Sequence, residues 1–389
     1  MRIAQIAPLT EAIPPKLYGG TERVIHWLAE ELVSLDHEVT LFASGDSRTS
    51  AELAPIWPRA LRLDCAVQDP CALHMTMLEE VRRRASDFDI LHFHLDYYPF
   101  SLFSRQPTPF VTTLHGRLDL PEHQPVFTTF SSIPLISISD SQRKPVPQAG
   151  FVATIHHGIP EYLLTPQPIA PSYLAFIGRI SPEKGIEHAI TIARACGLPL
   201  KIAAKIDKVD CEYFEQHVRP MLALPGIEHI GEIGDAEKSA FLSGAIAVLA
   251  PINWPEPFGL VMIEAMACGA PVIAFNRGAV SEIIEPGLTG FIVEEEASAV
   301  RAIGRVPALS RQAIRRRFEQ RFTSRRMAED YLATYEELIA AAKSRRRLAV
   351  HPKAERAAAS QPAPQAVSGR VSGNSAANPK PQRAVNARP

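Results

Sequence analysis

Apolar runs and amphipathic segments alternate along the first part of the chain. The apolar run RIAQIA at residues 2–7 predicts a buried strand, and EVTLFAS at residues 38–44 predicts a second strand. Between them, the apolar positions have the spacing of an amphipathic helix, namely Val24, Trp27, Leu28, Leu32 and Leu35. A strand, a helix and a strand in this order are typical of a right-handed crossover unit in a parallel sheet.

The same alternation continues, pauses at a proline-rich segment and then restarts. A helix around Leu73–Ala85 and strands in ILHFH, FVTTLHG, PLISISD and FVATIHHGI precede the segment GIPEYLLTPQPIAPS at residues 158–172. The pattern resumes with strands in YLAFIGR, LPLKIAAKI, IEHIGEI, IAVLAPI and PVIAF, which are separated by helical segments. We therefore predict an α/β protein with two doubly wound, Rossmann-like domains, residues 1–157 and 173–325. The ligand site is expected in the cleft between them.

Two further segments follow the second domain. Residues 326–342, which begin RMAEDYLATYEELI, have helical spacing of apolar residues. Residues 343–389 are rich in Ala, Pro and Ser and contain ten Lys/Arg and one acidic residue, against 31 and 41 in the rest of the chain. This tail has too little large apolar surface to fold alone, so we predict that it is disordered. The alternative is that its charge contacts acidic lipid, nucleic acid or the acidic body of the protein.

The overall composition, 46% hydrophobic and 21% charged residues, is that of a globular protein. No apolar run is long enough to span a bilayer, and the N-terminal residues lack the pattern of a signal peptide. The five cysteines contain no Cys-x-x-Cys pair, which favours reduced thiols over a disulfide framework or a zinc site. We expect a cytoplasmic protein, with the basic tail as the candidate for peripheral contact with the inner face of the membrane.

The strongest candidate chemistry lies in WPEPFGLVMIEAMACGAPVIAF, which begins at Trp254. Two prolines hold Glu256 just before a predicted helix, and Glu264 lies about 7–8 Å further along the helix axis at ~1.5 Å per residue. Between the two carboxylates, the amides of Phe258, Gly259 and Leu260 begin the helix, where an anion is favoured. A carboxylate, an anion site and a carboxylate match the groups of a sugar joined to a ribose through a diphosphate. The alternative is that Glu256 is a helix-entry acid and Glu264 a surface residue.

Three other segments carry weaker signals. In FIGRISPEKG, Arg179 and Lys184 place two cations after a strand and at a helix start, which suits a diphosphate, although a solvated turn would have the same residues. In YGGTERV, the paired glycines Gly19 and Gly20 open a helix but lack the spacing of a nucleotide P-loop. In TTLHG, His115 ends an apolar strand, where active-site residues cluster. A purely structural histidine is the alternative for His115, and it applies equally to His92 and His94.

The sequence contains one weak candidate for a metal-binding site. Asp87 and Asp89 form an Asp-x-Asp pair like the one that holds a divalent metal in some sugar transferases, but the pair precedes a strand, and we interpret it as polar strand entry. We therefore expect neither a metal ion nor a cofactor.

Together, these segments resemble the retaining glycosyltransferases of family 4, which have the GT-B fold. The resemblance covers about residues 1–342 and is strongest at residues 255–293, where Glu256 and Glu264 match the family's signature of two glutamates separated by seven residues. FIGRISPEKG is similar to the donor-diphosphate loop of the family, GGTE to its glycine loop and TLHG to its acceptor-side histidine. The segments KIAAKID and WPEPFG resemble a bacterial subgroup that includes antibiotic-tailoring transferases.

The resemblance implies metal-independent transfer of a hexosyl sugar from a UDP- or GDP-sugar to the hydroxyl of a saccharide, lipid-linked or small-molecule acceptor, with nucleic acid not expected as a partner. It implies that Glu256 holds sugar hydroxyls, that Glu264 holds the ribose and that His115 contacts the sugar beside the anomeric carbon. The leaving diphosphate would be stabilised by Arg179, Lys184 and the amides of Gly19, Gly20 and Phe258–Leu260, without an enzymic nucleophile. The helix at 326–342 would cross back to the first domain.

Two positions depart from the family pattern. His157–Gly158 stands where the family often has Asn-Gly, and Lys205 and Asp207 stand where it often has a glycine turn. Three alternatives stay open at this point. The first is a non-catalytic nucleotide-sugar-binding protein, and the others are a GT-B-fold epimerase and a phosphorylase.

Overall fold

A computed structural model describes residues 1–16 and 19–350, and for residues 347–350 it describes the backbone alone. Within these residues, every strand pairing of the two main sheets is parallel. The prediction of two doubly wound parallel sheets is therefore confirmed.

The first sheet, as described, has seven strands in the order β3-β2-β1-β4-β5-β6-β7. Its strands are β1 (Arg2–Ile6), β2 (Glu38–Ser44), β3 (Glu52–Trp57), β4 (Ile90–Phe93), β5 (Phe110–Leu114), β6 (Leu135–Ser137) and β7 (Phe151–Thr154). Its helices are α1 (Gly20–Ser34), α2 (Pro70–Arg84), α3 (Phe100–Phe103), α4 (His123–Thr129) and α5 (Asp140–Arg143). The chain order reverses between β1 and β4, the point where ligands bind in such sheets.

The second sheet, as described, has six strands in the order β10-β9-β8-β11-β12-β13. They are β8 (Tyr173–Arg179), β9 (Leu200–Lys205), β10 (Ile227–Gly231), β11 (Ala245–Ala250), β12 (Val272–Phe275) and β13 (Gly290–Val293). Its helices are α6 (Ile186–Cys196), α7 (Cys211–Tyr213), α8 (Arg219–Leu222), α9 (Asp235–Ser243), α10 (Leu260–Ala267), α11 (Val280–Ile283), α12 (Glu296–Ile303) and α13 (Arg311–Arg321). The order reverses between β8 and β11, so this sheet has its own crevice.

The C-terminal helix α14 (Ser324–Val350) returns to the first sheet, as predicted. Tyr331 and Tyr335 on this helix are fully buried, and their hydroxyls contact Thr113 and His92 on strands of that sheet. The returning chain also pairs with the linker, because Ile159 accepts from the amide of Ser324 and donates to the carbonyl of Phe322. The two crossings between the domains therefore lie side by side.

The structure contains two strands that the sequence analysis does not predict, β3 and β13, and it describes little of the tail. Strand β3 has an exposed first residue and contains Pro55, which is compatible with a strand at the edge of a sheet. Of the segment 343–389, which the sequence predicts to be disordered, residues 351–389 lie outside the described residues, and α14 extends through Val350.

The five cysteines all lie in the described part of the chain, and none of them forms a disulfide. Among the described helices, none is long and apolar enough to cross a membrane.

Candidate active site

A cleft of about 210 Å³ lies where the carboxyl ends of strands from both sheets face each other. Residues after β5 and β6 and the first residues of α1 line it from the first sheet. Strands β8 and β11 and the segment before α10 line it from the second sheet. The polar and glycine residues among those lining it are Gly20, Thr21, His115, Gly116, His157, Gly178, Lys184, Trp254, Glu256 and Gly259.

The loop that carries Glu256 is held by close backbone packing. A Cβ atom at Gly278 would lie 2.2 Å from the carbonyl oxygen of Glu256, and the φ of Gly278 is +62°. The amide of Ala279 donates to the same carbonyl at 2.9 Å. Because only glycine tolerates both this conformation and this approach, the sequence NRGAV that follows β12 fixes the position of Glu256.

The loop that carries Lys184 packs against the same region. Gly185 has a φ of +71°, and a Cβ atom there would lie 2.0 Å from the carbonyl oxygen of Pro251. As a result, Lys184 Nζ lies 2.6 Å from Glu256 Oε2, which also accepts from Trp254 Nε1 at 2.8 Å. Glu256 is 8% exposed, so this ion pair is shielded from solvent on the carboxylate side.

Two helix N-termini meet at this cleft. Helix α10 begins after Gly259 and helix α1 begins after Gly19, and neither N-terminus is capped by a side chain. The methyl Cδ1 of Leu260 is 3.7 Å from the position of a Cβ atom at Gly20, so the first turns of the two helices are in contact range. Backbone amides at such termini carry partial positive charge and favour an anion.

His115 directly follows β5 and lines the cleft, where its ring stacks on that of His157 with centroids 5.4 Å apart. Its Nε2 lies 2.8 Å from Nδ1 of the buried His94. Loss of solvation lowers the pKa of His115 to about 3, because burial disfavours the imidazolium form. His115 is therefore a neutral hydrogen-bonding group at physiological pH.

Three of the residues that the sequence indicated, Arg179, Glu264 and Gly19, are not among the residues that line the cleft. Arg179 lies 3.4 Å from Asp210 and 3.8 Å from Glu183. Glu264 is 4% exposed and accepts from Lys238 Nζ at 2.7 Å, so it is not the surface residue that the alternative interpretation supposed. Gly19 is also absent from the lining residues, although Gly20, Lys184, Glu256 and Phe258–Leu260 are present.

Glu264 belongs to a charged group that joins the two domains. Arg23 on α1 lies 2.6 Å from Asp235 at the start of α9 and 3.9 Å from Glu264. Lys238 contacts both acids, at 3.5 Å and 2.7 Å. The sequence did not indicate a role for Arg23, Asp235 or Lys238, because neither charge pattern nor spacing relates residues on two different domains.

Trp254 and His157 also received no role from the sequence. Trp254 lies two residues before Glu256, and His157 stands where the resembling family often has Asn. The tertiary structure places the Trp254 indole against the Glu256 carboxylate and the His157 ring against His115.

Asp87 and Asp89 lie away from this cleft. The Asp89 carboxylate accepts from the backbone amide of Arg2 at 2.8 Å, and Asp87 lies 3.8 Å from Arg84. In residues 1–16 and 19–350, no group of three or more His, Cys, Asp or Glu side chains is arranged to hold a metal ion.

Two family models match overlapping parts of the chain. Residues 18–180 match the model described as Glycosyltransferase Family 4, and residues 167–321 match the model described as Glycosyl transferases group 1.

Among curated proteins, the chain is 26% identical over 370 residues to the glycogen synthase of Mycobacterium tuberculosis, with 80% of this chain and 88% of that enzyme covered. It is 27% identical to the phosphatidyl-myo-inositol mannosyltransferase of Mycobacterium leprae, with 82% and 90% covered.

Among solved structures, a glycosyltransferase involved in avilamycin A biosynthesis, AviGT4, superposes with a TM-score of 0.66 at 24% identity. The superposition covers 87% of this chain and 98% of that protein. At this identity the likeness concerns the fold, and the fold agrees with the two parallel sheets and the cleft described above.

Proposed function

The chain is a glycosyltransferase with the GT-B fold, and from this premise we propose that it moves a hexosyl-type sugar from a UDP- or GDP-sugar to an acceptor hydroxyl, with retention of the anomeric configuration and without a metal ion. The observation that carries the proposal is the meeting of Lys184, Glu256 and two uncapped helix N-termini in one cleft. This arrangement offers positive charge for a diphosphate beside an acceptor for sugar hydroxyls.

The proposed reaction depends on stabilising negative charge. The bond between the anomeric carbon and the donor's diphosphate breaks through an oxocarbenium-like transition state, and charge accumulates on the leaving phosphate oxygen. In this proposal the charge is stabilised by Lys184 and by the backbone amides of Gly19, Gly20 and Phe258–Leu260. Arg179 directly follows the cleft residue Gly178, and in this proposal it adds a second positive charge for the diphosphate. The donor phosphate accepts the proton of the attacking hydroxyl, so no enzymic nucleophile is assigned.

The sugar and the ribose have separate contacts in this proposal. Glu256 accepts hydrogen bonds from sugar hydroxyls, and His115 contacts the sugar beside the anomeric carbon. Glu264, with Lys238 and Arg23 around it, holds the ribose hydroxyls. Closure of the two domains would exclude water, which otherwise hydrolyses the donor.

A panel of nucleotide diphosphate sugars tests the proposal. A true donor binds the folded chain, so it should raise the melting temperature, and it should then yield a glycosylated product with an acceptor. The anomeric configuration of the product, determined by NMR, tests retention. An inverted product, or turnover with a sugar phosphate that lacks a nucleotide, would reject the proposed reaction.

Activity should survive excess EDTA, because the proposal assigns the diphosphate charge to Lys184, Arg179 and helix amides. The measurement is the initial rate of transfer with and without chelator, and a buffer-matched sample with calcium-saturated EDTA controls for ionic strength. A rate that disappears on chelation and returns with Mn²⁺ or Mg²⁺ would contradict metal independence. Asp87 and Asp89 would then be the candidate metal ligands.

Glu264→Gln should mainly weaken donor binding. The amide keeps one acceptor but loses the charge that organises Lys238 and Arg23, so the donor KM should rise about tenfold for a loss of ~1.4 kcal/mol. The matched control is Glu228→Gln. Glu228 is an exposed acid outside the cleft, and its carboxylate lies 3.4 Å from Lys201 Nζ. An unchanged KM in a normally folded Glu264→Gln protein would remove Glu264 from the proposed ribose site.

A further inference from the structure

Behind His115, a chain of hydrogen bonds crosses the first domain to helix α14. We call it the histidine relay, and its members are His115, His94, Gln5, Tyr335 and His92. Its four links are His115 Nε2 to His94 Nδ1 (2.8 Å), His94 Nε2 to Gln5 Oε1 (2.8 Å), Gln5 Nε2 to Tyr335 Oη (3.1 Å) and Tyr335 Oη to His92 Nδ1 (2.6 Å).

The chemistry of each link determines where the hydrogens lie. The carbonyl oxygen of Gln5 can only accept, so His94 carries its hydrogen on Nε2 and offers a lone pair at Nδ1. His115 must then donate from Nε2, and a neutral His115 has a bare lone pair at Nδ1. At the other end, the Gln5 amide donates to Tyr335, whose hydroxyl donates to His92. All links are thus satisfied by one pattern of hydrogens.

Burial supports the neutral form of these histidines. His92, His94 and Gln5 are at most 3% exposed, and loss of solvation lowers the pKa values of His92 and His94 well below the ordinary value. The Nδ1 atom of His115 is itself buried and has no hydrogen-bond partner within the described residues. An unpaired buried acceptor is unfavourable, so a ligand hydroxyl that reaches it should gain a hydrogen bond.

We propose that the histidine relay holds His115 in the Nε2–H tautomer, so that its Nδ1 accepts a hydrogen bond from a hydroxyl of the donor sugar. Gln5, His94 and Tyr335 are then positioning residues for sugar transfer, and α14 contributes to the active site through Tyr335. The inference deepens the proposed function and rests on it for the identity of the hydroxyl. The hydrogen pattern of the free protein does not depend on it.

The alternative to this pattern of hydrogens is its exact reverse. If the Gln5 amide were rotated by half a turn, every link would reverse, and His115 would carry its hydrogen on Nδ1 and donate to the ligand. The two arrangements predict opposite tautomers of the same ring, so they are separable by spectroscopy.

Histidine ring 15N NMR of the full chain, labelled at histidine, tests the tautomer directly. The His115 signal is assigned by its loss in His115→Gln, and we expect a protonated Nε2 and an unprotonated Nδ1. Gln5→Met removes the amide oxygen and the amide nitrogen but keeps a side chain of similar size, and it should give a mixture of His115 tautomers. Gln5→Glu retains an acceptor for His94 and should restore the Nε2–H form. A protonated Nδ1 in the parent protein, or an unchanged tautomer in Gln5→Met, would overturn the inference.

Kinetics with a donor identified by the panel provide the second measurement. Gln5→Met and Tyr335→Phe should lower kcat about tenfold to a hundredfold, as expected for one misdirected hydrogen bond to the reacting sugar. Binding of the free nucleoside diphosphate, which lacks the sugar, should be unchanged. Equal loss of nucleoside diphosphate binding would indicate general disruption of the cleft and would overturn the positioning role.

Tyr331→Phe is the matched control. Tyr331 lies on the same helix and is equally buried, but its hydroxyl contacts Thr113, whose Oγ1 lies 2.7 Å from His92 Nε2. Tyr331 is thus two hydrogen bonds beyond the far end of the histidine relay, and its replacement keeps all four links of the relay. The variant should leave the His115 tautomer and kcat unchanged, and a loss of kcat equal to that of Tyr335→Phe would count against the inference. If no donor supports turnover, the proposed function fails, whereas the NMR result still decides the tautomer.

Discussion

Replacing Lys184 with alanine is expected to lower kcat/KM for the donor by roughly 30- to 1000-fold, which corresponds to about 2–4 kcal/mol of lost transition-state stabilisation. The reason is the position of its ammonium group, 2.6 Å from Glu256 in the cleft where the diphosphate would leave. The variant also leaves the Glu256 carboxylate without its cation. Both kcat and donor affinity should fall, because the charge acts on the bound donor and more strongly on the transition state.

The same substitution should also lower the free energy of unfolding by about 3 kcal/mol, because Glu256 is 8% exposed and its carboxylate would keep only the Trp254 indole as a partner among the described residues. Melting and donor kinetics are therefore measured together. Lys201→Ala is the matched control, since Lys201 forms an ion pair with Glu228 on strands of the same sheet, outside the cleft. Parent-rate transfer by a well-folded Lys184→Ala protein would contradict the assignment of this lysine to the diphosphate.

Acidification is expected to destabilise the fold strongly between about pH 7.5 and 5.5. The pKa values of His92, His94, His115 and His157 are all lowered in the folded protein, mainly by loss of solvation. The unfolded chain, with ordinary values near 6.5, then binds more protons than the folded chain, so stability is fully present above pH ~6.5 and decreases as pH falls. Each histidine contributes about 1.4 kcal/mol over this interval.

Urea denaturation at the two pH values measures this effect, with an expected loss of about 5 kcal/mol for the four histidines together. His157→Asn is the informative variant, because it removes one titrating ring and introduces the residue common at this junction in the resembling family. Its loss of stability on acidification should be smaller by about 1.4 kcal/mol. Equal stability of the parent protein at both pH values would show that these histidines are not held neutral by burial.

Local sequence determined most strands of the two sheets and the segment of the site around Glu256. Strand and helix periods are properties of neighbouring residues, so alternating apolar runs predicted β1, α1, β2 and the restart at β8. The segment around Glu256 was likewise visible, because prolines, glycines and a helix start lie within a few residues. Strands β3 and β13 were not predicted. The six residues of β3 include Pro55 and are incompletely buried, and β13 has only four residues, so neither segment gave a clear apolar pattern.

Contacts between distant residues were decided only by the tertiary structure. Gln5 and Tyr335 are 330 positions apart, and their hydrogen bond exists because the C-terminal helix returns to the first sheet. Arg23 meets Asp235 and Glu264 because two domains face each other across the cleft. Residue type and spacing set local conformation, whereas hydrogen-bond direction, desolvation and ion pairing depend on which side chains the folded chain brings within a few ångströms. The sequence therefore identified Lys184, Glu256 and His115 as candidates, and the fold decided which partners surround them.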